Sequence, residues 1–367
     1  MRRSSPDGGG NSVRKFSRKT VAMLGIFAAI AAVAASGAAA SHRASVQVCV
    51  LLPDTKSSVR WVQFDAPDMK AAFKKAGVSA SINNALNDPL KQKAQAQACL
   101  AAGATVVIET ALDNGSASSI EKLFTSKGGY AIDYDRQVLG GSASVYVTFD
   151  GKAVGEAQAK GVIAAMKANG TYKSSSTIAE LWGGQTDQNA FWFKSGNDAV
   201  FNPLFKSGAL KKGPQQFVPD WDANNAATIF NQMLVKTSNN IQGVLAANDN
   251  IAGAVVADLK AKGLKPLPLS GQDATPQGIQ YILAGWQSGT VFKYVPLEAN
   301  AAAQAAITLV KGGKPKTNTF RMNGKKKEPT LTLPVEWITK ANYKTLFKEG
   351  FLKKSDVCNG TYAQYCK

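Results

Sequence analysis

Residues 46–82, VQVCVLLPDTKSSVRWVQFDAPDMKAAFKKAGVSASI, decide the fold. Val46–Leu52 is a short, nearly continuous apolar run, the pattern of a parallel strand covered on both faces. Trp61–Ala76 has helical periodicity and stops at Gly77, a residue suited to a left-handed helix cap. Val78–Ile82 then returns as a strand. A strand, a crossover helix and a second strand form one βαβ unit.

The alternation continues in both sequence halves. Asn87-Asp88-Pro89 predicts a helix start, with Asp88 as cap and Pro89 in the first turn, and Gly103 ends that helix. Strands are predicted at Thr105–Ile108, Tyr130–Ile132 and Val145–Phe149, with a helix at Ser116–Lys127. After Asp150 the pattern restarts. Helices are predicted at Lys152–Ala168, Asn189–Phe205, Asn224–Thr237, Asn248–Lys262, Pro276–Gln287 and Glu298–Lys311. Strands are predicted at Thr177–Leu181, Gln216–Val218, Gly243–Ala246, Leu267–Leu269, Val291–Lys293 and Thr330–Pro334. Roughly ten strands exceed one ordinary doubly wound sheet, so an α/β fold with two parallel-sheet lobes is expected.

Composition agrees. The chain has 367 residues, 45% hydrophobic and 19% charged, enough for two domains of ~150 residues each and unlike a disordered chain. A single histidine, His42, excludes a histidine triad and a zinc site built on several histidines. Lys+Arg outnumber Asp+Glu by 43 to 25, a formal net charge of +18. The lysine run Lys325-Lys326-Lys327 has no interleaved aromatic residues, so nucleic-acid binding is not expected.

The N-terminus carries part of this charge. Arg2, Arg3, Arg14, Lys15, Arg18 and Lys19 precede an Ala-rich apolar stretch, which ends near Ala38-Ala39-Ala40. Those three parts predict a secretory signal peptide over 1–40, removed on export. The competing reading is a retained anchor, for which the apolar run is short. Export permits disulfides. Cys358 and Cys366 lie close enough for a local bridge, leaving Cys49 with Cys99. A zinc site is disfavoured because paired C-x-x-C knuckles are missing.

Ligands of open α/β sheets bind at the carboxyl ends of the strands. There the sequence places Arg60-Trp61, Asp135-Arg136, Asn189, Trp221, Asn248-Asp249, Asp273 and Lys293. Arginine and lysine donate several hydrogen bonds and carboxylates accept several, so the set suits hydroxyls that do both. The indoles of Trp61 and Trp221 offer flat apolar faces to a pyranose ring. Caps alone explain an Asp or Asn after a strand, but not Arg, Lys and Trp at the same ends. No phosphate-binding glycine loop and no G-x-S-x-G elbow is present. Asp133 and Asp135 offer a carboxylate pair of the kind glycosidases use, but nothing else in the sequence supports hydrolysis.

These strand-end segments resemble the sugar-binding proteins of bacterial ABC importers, the ribose-binding-like type I periplasmic binding proteins, and most closely the xylose-binding subgroup. The resemblance rests on Leu51–Ser58 with Arg60-Trp61, on Ile132–Arg136, on Val147–Asp150 and on Thr186–Ala190. It continues through Val218–Asp222, Val244–Asp249, Ser270–Ala274, Val291–Lys293 and the tail Gly350–Cys358. It implies two doubly wound lobes joined by a three-stranded hinge, one lobe of 45–148 plus 274–312 and another of 149–273 plus 313–367. Crossings are implied near Phe149, Ala274 and Gly313. It also implies a monomer, in the periplasm or at the outer face of the cytoplasmic membrane or cell wall, that binds a monosaccharide through Arg60, Asp135, Arg136 and Lys293 on one side and Asn189, Trp221, Asn248 or Asp249, and Asp273 on the other. Delivery would be to an ABC permease with its ATPase subunits, without catalysis, cofactor or metal. A receptor presenting a sugar or quorum signal to a sensor kinase or chemoreceptor would share the same features. Gln188 stands where the subgroup has an asparagine, so another aldose than xylose stays open.

Overall fold

The computed structural model describes residues 45–366. The expected signal peptide, residues 1–40, and His42 lie outside them. The described residues form one compact unit with its own hydrophobic clusters.

The first half builds β1 (Val48–Leu52), α1 (Ala66–Ala76), β2 (Ala80–Asn84), α2 (Pro89–Ala101), β3 (Val106–Glu109), α3 (Asn114–Thr125), β4 (Tyr130–Tyr134) and β5 (Val145–Phe149). Asp88 caps α2, accepting from the amides of Leu90 and Lys91, and Gly77 ends α1 with φ 68°. The second half continues with α4 (Gly151–Ala168), β6 (Thr177–Trp182), α5 (Gln188–Lys206), β7 (Lys211–Phe217), α6 (Ala223–Lys236), β8 (Gly243–Ala246) and α7 (Asp249–Ala261). It closes with α8 (Pro276–Leu283), β9 (Thr290–Phe292), α9 (Val295–Val310), β10 (Thr319–Asn323), β11 (Lys326–Leu333) and β12 (Glu336–Ile338).

The first lobe is a seven-stranded sheet in the order β10-β11-β5-β4-β3-β1-β2, parallel except for the β10–β11 hairpin. All five residues of β1 are buried, as a strand covered by helices on both faces requires. The second lobe runs β7-β6-β8, extended by single parallel bridges at Val244–Leu269 and Gln272–Val291 to the antiparallel pair β9–β12. Leu267–Leu269, expected as a strand, thus contributes one bridge only.

The strand pairings correct the expected division of the chain. Residues 274–292 belong to the second lobe: α8 shares a core cluster with Phe292, Ile338 and Leu346, and β9 pairs with β12. Residues 319–333 belong to the first, because β11 pairs in parallel with β5. The crossings therefore fall after Phe149, between β9 and α9, and between β11 and β12. The alanine face of α9 explains the second: Ala299, Ala302, Ala303 and Ala306 pack with Met69 and Phe73 of α1 over the seven-stranded sheet.

Disulfides join Cys49 to Cys99, tying β1 to α2, and Cys358 to Cys366 in the tail.

Candidate functional site

The carboxyl ends of both sheets face one cleft. After β1 the chain turns sharply, because the Asp54 carboxylate accepts the amides of Lys56 and Ser57 and the Ser57 hydroxyl. The Ser57 Oγ in turn accepts Trp61 Nε1 at 3.1 Å, fixing the indole at the first turn of the following helix. Arg60 is thereby buried with its guanidinium 4.4 Å from the Trp61 ring. After β4, Asp135 adopts φ 62°. This left-handed turn is held by Tyr146, Thr148 and Asn189, all donating to the Asp135 carbonyl.

On the opposite lobe, Asp220 and Trp221 also take positive φ, 55° and 57°. The turn lays the Trp221 indole onto Gly183 and Gly184, where side chains would block it. Asp273 has φ 91° and the buried Ala274 φ 48°. Left-handed non-glycine residues cost on the order of 1–3 kcal/mol each and concentrate at functional sites.

A cavity of about 30 Å³ lies between the lobes, far below the ~300–1,000 Å³ of small-molecule sites, so the lobes stand closed on each other here. Nine of the ten predicted residues line it: Arg60, Trp61, Asp135, Arg136, Asn189, Trp221, Asn248, Asp273 and Lys293. Asp249 does not. Its carboxylate turns into the second lobe, accepting Thr275 N at 2.8 Å and Gln287 Nε2 at 2.9 Å. The neighbours Gly271 and Gly278 leave room for it there, where a Cβ would sit 2.1 and 2.2 Å from its oxygens. Burial pushes its carboxyl up to about 7.

Ser57, Ser58, Asp187, Phe193 and Gln272 also line the cleft and were not predicted. Phe193 follows Asn189 by four residues and so shares its helical face. Gln188 is not among the lining residues; Asn189 is.

Electrostatically the site is a ladder of alternating charge. Arg60 Nη1 meets Asp135 Oδ1 at 2.7 Å, Lys293 Nζ lies 4.0 Å from the same oxygen, and Lys293 meets Asp273 Oδ1 at 3.2 Å. Burial would raise the Asp135 carboxyl, but Arg60, Lys293 and Arg136 outweigh it and hold the group below the ordinary carboxylate range. Arg60 is further held by Asp65, Glu298 and Tyr134.

The lobes also grip each other directly. Arg136 pairs with Asp187 at 3.0 Å, Ser58 donates to Asp273 at 3.2 Å, Asn189 donates to Asp135, and Asn248 donates to the Ser57 carbonyl at 3.2 Å. Asn248 also caps α7, its Oδ1 accepting from Ile251 N at 2.9 Å. Asp133 points away from the cleft, accepting Val138 N beneath the sheet. The pair Asp133/Asp135 therefore does not converge on one substrate.

Comparison with known proteins places this architecture. The family model described as "Periplasmic binding protein domain" matches residues 48–314. The D-xylose-binding periplasmic protein of Escherichia coli is 31% identical over 320 residues, 87% of this chain and 94% of that protein. The multiple sugar-binding periplasmic protein SbpA of Azospirillum brasilense is 30% identical, over 81% of this chain and 87% of that one. The crystal structure of a carbohydrate transporter solute binding protein from Chloroflexus aurantiacus, in complex with D-glucose, superposes with a TM-score of 0.77 at 27% identity. It covers 84% of this chain and 97% of that chain.

Proposed function

The chain belongs to the periplasmic binding protein family, and we propose that it is the extracytoplasmic receptor of an ABC sugar importer, binding xylose or a similar aldose between its lobes. The observation that carries this reading is the interlobe cavity itself. Its lining alternates fixed cations, carboxylates and amides, and it is flanked by the indoles of Trp61 and Trp221.

A sugar hydroxyl inserted between Arg60 and Asp135 donates to one and accepts from the other. Charge-assisted bonds of this kind contribute about 1.5–3 kcal/mol each. Asp135, Arg136 and Arg60 come from one lobe, and Asn189, Asn248 and Asp273 from the other. Ligand contacts that exist only when the lobes meet stabilise the closed form. A membrane permease then reads that form, with ATP hydrolysed on separate subunits. The protein itself acts as a monomeric carrier without catalysis, exported to the periplasm or the outer face of the cytoplasmic membrane or cell wall.

The test is calorimetric titration of residues 43–367 with xylose, ribose, arabinose, glucose and galactose, with tryptophan fluorescence alongside. Saturable micromolar or tighter binding of one aldose, with a fluorescence change, supports the reading. No heat with any of the five overturns the assignment to a monosaccharide.

A further inference from the structure

The β10–β11 ribbon is amphipathic in the inverted sense. It forms the free edge of the seven-stranded sheet, with Phe320 opposite Pro329, Arg321 opposite Glu328 and Met322 opposite Lys327. Alternate residues share a face. The inward face is polar: Asn323 and Glu328 are buried and held by Gln137 Nε2, Gly140 N and the Val138 carbonyl. The outward face carries the apolar side chains, with Phe320 47% and Met322 50% exposed beside the exposed Lys327. Lys327 Nζ lies 4.6 Å from the Phe320 ring.

The chain around the ribbon is strongly basic, with Arg321 paired to Asp150 at 3.4 Å. Residues 311–327 contain six exposed lysines and Arg321 without a single Asp or Glu. Lysines on an edge strand guard it against pairing with another chain. That role accounts for the charge, but not for a phenylalanine and a methionine exposed among the lysines when the polar residues are turned inward.

We propose that the outer face of the β10–β11 ribbon docks on an anionic lipid bilayer, with Phe320 and Met322 entering the interface and the lysines facing the headgroups. Apolar burial combined with lysine attraction to anionic headgroups is the chemistry of interfacial anchoring. The surface lies on the outer edge of the first lobe's sheet and uses no cleft residue.

Co-sedimentation of residues 43–367 with vesicles of phosphatidylcholine alone, and of phosphatidylcholine with one-quarter phosphatidylglycerol, tests this. Binding is expected only to the anionic vesicles and weakens with salt. The variants F320S/M322S and K325E/K326E/K327E each lower partitioning at least tenfold while leaving the thermal midpoint unchanged. Wild-type protein that ignores anionic vesicles, or partitioning unchanged in both variants, overturns the proposal. Partitioning lost in the lysine variant but kept in F320S/M322S, with equal binding to soluble polyphosphate, also overturns it, in favour of a polyanion partner.

Discussion

Asp65 grips Arg60 from behind with two parallel bonds, Oδ2 to Nε at 3.1 Å and Oδ1 to Nη2 at 2.8 Å, and so leaves Nη1 to reach Asp135. Neither residue is exposed beyond 3%. Tyr134 donates to the same Asp65 oxygen, so the fork is locked from two sides. A guanidinium held this way loses little rotamer freedom when a ligand arrives.

Asp65→Ala removes that grip and leaves Arg60 under-compensated in the interior. Breaking a buried pair from one side costs about 3–5 kcal/mol. Denaturant unfolding should show a loss of that size, and ligand titration at least a tenfold weaker affinity. An unchanged unfolding midpoint would show that Glu298 and Asp135 suffice to hold the arginine.

Asp273 is the counter-charge of Lys293 and the acceptor of Ser58 from the other lobe. Asp273→Ala removes the nearer of the two carboxylates paired with Lys293 among the described residues and leaves Asp135, 4.0 Å away. Truncating one partner of a desolvated charge pair costs about 2–5 kcal/mol in binding, or roughly 30- to 5,000-fold in affinity. Calorimetry reads this directly. Binding within a fewfold of wild type would remove Asp273 from the site.

The parts of the fold legible in the sequence are those where local pattern and burial coincide. β1, β3 and β8 are buried along their whole length, so they read as apolar runs. β7, with the sequence Lys211–Phe217, is a polar edge strand and shows only its end. The lobe membership of β9 and β11 depends on partners more than 40 residues away in sequence, which no local pattern encodes. The rule that ligands sit at strand ends found the cations, tryptophans and most carboxylates of the cleft. It failed between Asn248 and Asp249, because both begin the same helix and only the glycines Gly271 and Gly278 let the Asp249 carboxylate turn into the second lobe. Ser58, Asp187 and Gln272 escaped because their residue types are common in turns and caps.

Glu298 couples stability to pH. Burial raises its carboxyl to about 8 even though Arg60 opposes the shift, and Asp249 is raised by burial to about 7. A carboxyl that binds its proton more tightly folded than unfolded contributes stability fully below its ordinary value, near 4. That contribution is lost as pH rises through the folded value. Stability should therefore fall between about pH 5 and 8 and level off above. Glu298→Gln keeps a neutral acceptor for Arg60 and should flatten the slope between pH 7 and 8. Denaturant midpoints at pH 5, 7 and 9 check this, and an equally steep fall in the variant would clear Glu298 of the effect.

Gly183 sets the position of Trp221. A Cβ at residue 183 would sit 2.1 Å from the indole, far inside contact distance, and the indole is packed edge-on against Phe193 at 6.2 Å. Gly183→Ala must therefore move the ring or the turn that carries it, and that turn already holds two residues at positive φ. The substitution adds one methyl and no charge, so the charge ladder of Arg60, Asp135, Lys293 and Asp273 stays as it is. If the Trp221 face stacks on the sugar, affinity should drop by about tenfold or more, the loss of about 1.4 kcal/mol or above, and ligand-induced tryptophan fluorescence should change. A drop in stability with unchanged affinity would instead make Trp221 a wall of the second lobe, and would leave ring stacking to Trp61.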